Sequence, residues 1–320
     1  MKLDWQKLLS DTGSRYPKTL YFELEGAQSF RYGIDENGGY CLFFAFTKAA
    51  ENRNIDPVEM AKITLKEELF DHQPTLVLTL LDPGLLSQFT DLILNIVAEV
   101  LMDNGDQKKK FIRICNEWFE LFEPASGSLD RHELQGIFAE LSFLKYLLKN
   151  SASDFNDILS AWKGPFGKGH DFELANNNNF EIKSISEGVA LVHISSEFQL
   201  DSFDGQRLML VVSAFMSAPT NGSNIRQLTE DIHHLLKART GVRMNLFWNA
   251  LSKTGIVISA LEIYDNHIFQ INATSAYNCS DLNFPAIKRT GIPGTIRNVK
   301  YDLTLPDLNG FLLNDLSDLI

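Results

Sequence analysis

Only three cysteines, Cys41, Cys115 and Cys279, occur in 320 residues, widely spaced and without a CxxC pair. That scarcity excludes a disulfide framework and a cysteine-based zinc module, and it suits a reducing cytoplasm, the expected location. Positive charge is also short: 29 Lys and Arg stand against 41 Asp and Glu, for a net charge of −12. A protein that coats nucleic acid without a specific site is basic, because phosphate neutralisation drives its affinity. This balance argues against strong DNA binding without a local site, a partner or a second subunit. The chain has no GxxxxGK[ST], GxGxxG, GxSxG or HExxH. NTPase, dinucleotide, serine-hydrolase and zincin chemistry therefore lack a motif. The most apolar stretch, Leu76 to Leu101, is broken by Asp82, Pro83, Gly84, Gln88, Asp91 and Glu99. It falls short of the ~20 apolar residues that span a bilayer. Asp4 and Gln6 interrupt the first residues, so no signal peptide is expected. The expectation is a soluble protein with no membrane partner.

What is present is a globular composition, 44% hydrophobic and 22% charged, enough for one large domain or two ordinary ones. Residues 1–125 read as an N-terminal α+β region that binds DNA, binds a partner or forms a dimer interface. Strands are expected at Thr19–Glu25, Gly39–Phe46 and Pro74–Leu81. Helices are expected at Pro57–Leu69, from the Asp82-Pro83-Gly84 turn to Met102, and at Gln107–Phe122. Residues 124–128 (PASGS) make a linker. Residues 129–320 form the second domain. It opens with helices at Leu129–Asn150 and Asp154–Trp162 and a glycine-rich turn at Lys163–Gly169. Strands follow at Asp171–Leu174, Phe180–Ile185, Val189–Ile194 and Leu208–Phe215. Helices at Ile225–Ala238 and Val242–Ser252 and a strand-rich tail complete it. The fold class is α/β, of the α+β kind.

The chemistry concentrates in the hairpin around Asn176–Asn179. Side chains alternate along a strand, so Phe172 and Leu174 share a face with Phe180 and Ile182, and Asp171, Glu173, Glu181 and Lys183 take the other. With the hairpin pivoting near Asn177, Asp171 lies opposite Lys183 and diagonal to Glu181. Hard Mg²⁺ prefers carboxylate oxygens and water and uses one or two protein carboxylates. Asp171 and Glu181 suit that role, and Lys183 suits orienting or deprotonating an attacking water and screening transition-state charge. An E-x-K tripeptide also arises about once by chance in such a chain. A Glu opposite a Lys is an ordinary cross-strand pair as well.

Neighbouring features add to this hairpin. They are Gly136-x-x-x-Glu140 on the preceding helix, Trp162-x-Gly164-Pro165, His170-Asp171-Phe172, and Ser195-Ser196-x-x-Gln199-Leu200-Asp201. In this order they resemble the PD-(D/E)xK nuclease superfamily. More narrowly, they resemble a bacterial group found beside DNA methyltransferases and ATPases in phage-defence operons. The resemblance is strongest over residues 130–215 and continues loosely through Phe284-Pro285 and Tyr301. It implies a restriction-endonuclease-like mixed sheet flanked by helices, with a C-terminal extension. The catalytic set it implies is Glu140, Asp171, Glu181 and Lys183, with Asp171, Glu181 and Glu140 as metal ligands. His170 stands where the superfamily name has proline. The implied activity is Mg²⁺-dependent (or Mn²⁺-dependent) DNA endonuclease of a restriction or phage-defence system. The implied partners are DNA, a methyltransferase and an ATPase, and a homodimer stays open. The alternative is a catalytically silent adaptor of the same fold that binds DNA or protein, which the acidic charge favours.

Glu140 lies on a helix whose apolar stripe packs on the sheet, so it is expected to face Asp171 or Lys183 rather than solvent. Burying a lone carboxylate costs several kcal/mol unless something compensates. Glu173 reads as a substitute ligand or, more simply, as an outward charge. Gln199 reads as an aid at the metal edge or as a cap, and His170 as an exposed turn residue. His233-His234 lack the four-residue spacing of paired ligands. Lys108-Lys109-Lys110 reads as a solvated run. Lys288, Arg289, Arg297 and Lys300 flank the turn Gly291-Ile292-Pro293-Gly294 and form a local basic patch.

Overall fold

The computed structural model describes residues 3–13, 15–46, 57–102, 106–122, 129–167, 169–201, 205–316 and 319–320. The chain divides into two compact units. One holds Met1–Ser126 with Arg243–Ser252 and Val257–Ala260; the other holds Gly127–Val242, Lys253–Ile256 and Leu261–Ile320. The expected linker at 124–128 lies outside the described residues.

The first unit begins with helix α1 (Trp5–Ser10) and an antiparallel sheet. Its strands are β1 (Lys18–Tyr21), β2 (Phe30–Ile34), β3 (Tyr40–Ala45), β4 (Val58–Glu59), β5 (Ile63–Phe70) and β6 (Gln73–Leu80), in the order β1-β2-β3-β6-β5-β4. The expected helix at Pro57–Leu69 is therefore wrong. Ile63 and Leu65 are buried at period two, and β5 pairs with β6 from Ile63↔Leu80 to Phe70↔Gln73. Sheet pairing overrode a weak helical spacing.

Helices α2 (Leu86–Leu101) and α3 (Gln107–Phe119) pack against each other. The stretch Pro83–Leu101 has the length and hydropathy to cross a bilayer, contrary to the sequence reading, yet half of it is buried within the protein. Phe89, Leu92, Ile93, Ile96, Val97 and Val100 are fully enclosed, which is the pattern of a core helix. Its buried Asp91 accepts a 3.0 Å hydrogen bond from Trp248 Nε1, which ties the helix Met244–Lys253 into this unit. Lys108 also departs from the expected solvated run. It is buried and pairs with Glu67 at 2.8 Å, its ammonium 4.8 Å from the centre of the Phe46 ring.

In the second unit, α4 (Arg131–Asn150) starts at a capping box in which Asp130 caps the helix and Glu133 returns to the Asp130 N–H. Helix α5 (Phe155–Ala161) follows, then β7 (Phe172–Glu173), β8 (Asn178–Ser186), β9 (Leu191–Ile194), β10 (Arg207–Phe215), α6 (Ile225–Lys237), β11 (Ile271–Asn278) and β12 (Tyr301–Thr304). Four strands form a mixed sheet in the order β11-β10-β8-β7, with β8 parallel to β10 and the other pairs antiparallel; β12 pairs with β9. This is the expected α+β architecture. The tail holds fewer strands than expected, since short 3-10 turns occupy much of it.

The hairpin register is set two residues away from the one expected. Phe172 pairs with Phe180 and Glu173 with Asn179, so Asp171, one step further along, is level with Glu181 rather than Lys183. The cause is the three-residue connection Ala175-Asn176-Asn177. It is closed by Leu174 N–H to Asn178 O at 3.0 Å, with Asn177 in the left-handed region (φ 63°), a conformation Asn accepts readily. A shift of two keeps every side chain on its expected face.

Candidate functional site

The aromatic face of the hairpin fixes where its charges go. Phe143 of α4 meets Phe172 edge-on at 5.1 Å and Phe180 at 5.0 Å, and Trp162 stacks on Phe172 at 6.3 Å. Trp162, Phe172 and Phe180 are fully buried, each worth roughly 1.5–3 kcal/mol of apolar burial. No exposed ion pair competes with that, so the charged residues occupy what the aromatics leave.

Trp162 also forms a bridge to Phe172, and Lys163 and Gly164 donate backbone N–H groups to Asp171 O at 2.8 and 3.1 Å. The segment 162–164 is thereby laid alongside Asp171. On α4, Glu140 is three residues past Ile137 and four before Leu144, at the margin of the buried stripe. Its Oε2 accepts from Trp162 Nε1 at 2.7 Å. Asp171 Oδ2 accepts from Ile182 N–H at 2.7 Å. Lys183 Nζ lies 2.9 Å from Glu181 Oε1, with side-chain exposures of 17% and 3%. The structure thus brings Glu140, Asp171, Glu181 and Lys183 together. Glu140 and Asp171 keep partial access to solvent, while Glu181 is buried.

Gly164 supplies the space between two of these acids. A Cβ built there would lie 2.6 Å from Glu140 Oε2 and 2.8 Å from Asp171 Oδ1. Only a residue without a side chain leaves that cradle open. Among the described residues no three Asp, Glu, His or Cys side chains close on a single ion-sized point. The close approach is between two carboxylates, the number with which Mg²⁺ commonly makes do while keeping water ligands.

Burial, then the neighbouring Asp171, pushes Glu181 up to about 8; Lys183 opposes both. Burial, Asp171 and Glu181 push Glu140 up to about 8 against the Trp162 hydrogen bond and Lys183. Asp171 is raised by burial, against the Ile182 N–H and Lys183. Glu140 and Glu181 are thus pushed up to about 8 in the folded state from an ordinary value of 4.5. Metal-free stability must therefore fall as pH rises from about 4.5 to about 8. The expected outcome is a Glu181→Gln variant close to the parent at pH 4 and more stable at pH 8, by on the order of 2 kcal/mol. Urea unfolding in EDTA at both values measures the gap, and a gap independent of pH contradicts it.

Other candidates separate from this group. Glu173 turns back toward Gly169, where an added Cβ would overlap its Oε1, and it accepts weakly from the His170 N–H at 3.4 Å. Gly169 (φ 65°) is required on both counts. Gln199 closes its own turn, accepting from Ser195 N–H at 2.8 Å and Ser195 Oγ at 3.0 Å. His170 corrects the exposed-turn reading. It is 5% exposed with neither ring nitrogen hydrogen-bonded, and burial lowers its pKa. Sequence reasoning assigned no task to Trp162 or Gly164. Their signal was the W-x-G spacing ahead of His170-Asp171.

A family model described as "Putative PD-(D/E)XK family member, (DUF4420)" matches residues 1–306. Comparisons with curated proteins and with solved structures gave no match.

Proposed function

The chain belongs to the PD-(D/E)XK family, and on that premise we propose that it is a Mg²⁺-dependent DNA endonuclease of a restriction or phage-defence system. The observation that carries this reading is the pair of carboxylates, Glu140 and Asp171, facing each other across Gly164 beside Glu181 and Lys183.

Glu140 and Asp171, with Glu181 adjoining, would hold the metal. Hard carboxylate oxygens with raised proton affinity are the donor set that gains most from a divalent cation. When bound, the ion supplies Lewis-acid polarisation of a phosphate and a more acidic water. The chain's own residues do the rest. Trp162 and the Ile182 N–H fix the orientation of the two carboxylates that frame Gly164. Lys183, 2.9 Å from Glu181 Oε1, holds a positive charge where the transferring phosphate develops negative charge. Mn²⁺ fits the same donor set.

A methyltransferase and an ATPase as functional partners, a cytoplasmic location and a homodimer are part of the same proposal. The net charge of −12 favours a second reading, a silent adaptor of nuclease fold. Cleavage of plasmid and phage DNA, methylated and unmethylated, in Mg²⁺, Mn²⁺ or EDTA separates the two. Metal-dependent nicking or linearisation is expected. Absence of both cleavage and a metal-induced rise in melting temperature, with partner proteins present, leaves the adaptor.

A further inference from the structure

The basic turn at residues 288–300 stands out in the sequence and is not used by the site described above. It is a built feature of the second unit. Arg289 N–H donates to Asp201 Oδ2 at 3.3 Å, Arg289 Nη1 reaches Glu197 Oε1 at 3.4 Å and Ile296 O at 2.8 Å, and Val299 N–H donates to Glu197 Oε2 at 3.0 Å. Glu197 is 3% exposed. A buried carboxylate thus anchors both arms of the turn.

The other cations of the turn have no such structural duty. Among the described residues, Lys288, Arg297 and Lys300 make no ion pair or side-chain hydrogen bond, and Arg297 and Lys300 are exposed. Glu197 and Asp201 are engaged by the turn itself, and Asp302 by His193 at 2.8 Å. In a chain of net charge −12, unpaired cations on a fixed turn make a local positive surface.

The turn leaves and re-enters the layer that covers the Glu181 side of the sheet. Leu210 pairs with Glu181 on one side and Tyr277 on the other, so the three form one row on one face. Leu210 and Tyr277 pack there with Val192, Ile194, Cys279, Phe284 and Leu303. The chain runs from Cys279 and Phe284 through the turn to Leu303 across that layer. Electrostatics agrees with this placement: the Cys279 thiol feels both Glu181 and Lys288, and His170, next to Asp171, feels Asp201.

We propose that Arg297 and Lys300, with Lys288, bind the phosphate backbone of duplex DNA beside the carboxylate site and set its position there. Backbone contacts of this kind fix register without reading sequence. They give an acidic protein the local affinity its total charge denies it. The proposal rests on the nuclease reading for the identity of its ligand.

The test measures binding of a fluorescein-labelled DNA duplex to the full chain by anisotropy over a range of NaCl, with Ca²⁺ replacing Mg²⁺. Removing one phosphate-binding cation weakens binding about 8-fold at 0.1 M salt and flattens the salt slope by about 0.9. Arg297→Ala with Lys300→Ala is therefore expected to weaken binding about 60-fold and flatten the slope by about 2. Thr295→Lys, which adds a charge to the same exposed stretch, is expected to tighten binding and steepen the slope. In Mg²⁺ the double variant should raise KM for the duplex. Unaltered slopes in both variants overturn the proposal even where the parent cuts DNA, and the nuclease reading then stands. A parent that binds no DNA, or that binds duplex RNA in preference, also overturns it. Altered slopes with a parent that never cuts leave this surface in place and sink the nuclease reading.

Discussion

Lys183→Ala is expected to lower the rate of DNA cleavage by roughly 10²–10⁴-fold while the protein still gains thermal stability from Mg²⁺ or Mn²⁺. Lys183 holds Glu181 at 2.9 Å and is itself mostly enclosed, so its charge acts at short range in a poorly solvated pocket. Removing it takes away the cation that opposes the raised proton affinity of Glu140 and Glu181. The acids left behind have more to gain from a divalent ion, and the metal-induced shift in melting temperature should be kept or enlarged. Asp171→Asn should lose both the shift and the activity. Differential scanning fluorimetry with and without metal, alongside single-turnover cleavage, reads the two effects separately. Cleavage that survives Lys183→Ala together with Glu181→Gln places the chemistry elsewhere in the molecule.

Gly164→Ala is expected to cost about 100-fold in cleavage rate and to abolish the metal-induced stabilisation, with the fold retained. The added methyl group would sit 2.6 Å from Glu140 Oε2 and 2.8 Å from Asp171 Oδ1. Each acid can yield only by giving up a hydrogen bond. Trp162 Nε1 holds Glu140 Oε2 at 2.7 Å, and the Ile182 N–H holds Asp171 Oδ2 at 2.7 Å. The pair is pushed apart and the cradle is filled. Trp162→Phe in the same background releases Glu140 and should restore part of the metal response. A Gly164→Ala protein that keeps wild-type cleavage and metal response shows that the space between these carboxylates is not where the ion is held.

Much of this arrangement is local enough to be written in the order of residues. Period two in Phe180-Glu181-Ile182-Lys183 puts the acid and the lysine on one face, whatever the register of the hairpin. The observed register differs from the expected one by two, which leaves that assignment unchanged. The capping box at Asp130 and Glu133 and the stripe through Leu134, Ile137, Leu141, Leu144 and Leu148 announce α4 and its buried side. Glu140 follows as an acid at the margin of a core. Only the family resemblance marks it as a site residue, since a helix pattern does not say which strand it will meet.

What the order of residues left open was decided by packing between distant segments. Ile63–Phe70 became strand because β6 offered it a full ladder of hydrogen bonds, a non-local gain invisible in a short window. Lys108 left the solvent because Glu67, remote in sequence, was there to pair with it. Period two does not say that Glu181 is buried, yet it is, in one row with Leu210, which packs with Val192, Ile194, Phe284 and Leu303. Glu173 was drawn away by the backbone at Gly169 and His170, and Glu140 entered from the helix. Periodicity assigns a side chain to a face. Only tertiary contact decides whether that face meets water, a core or two other carboxylates, because that depends on what residues far along the chain bring to it.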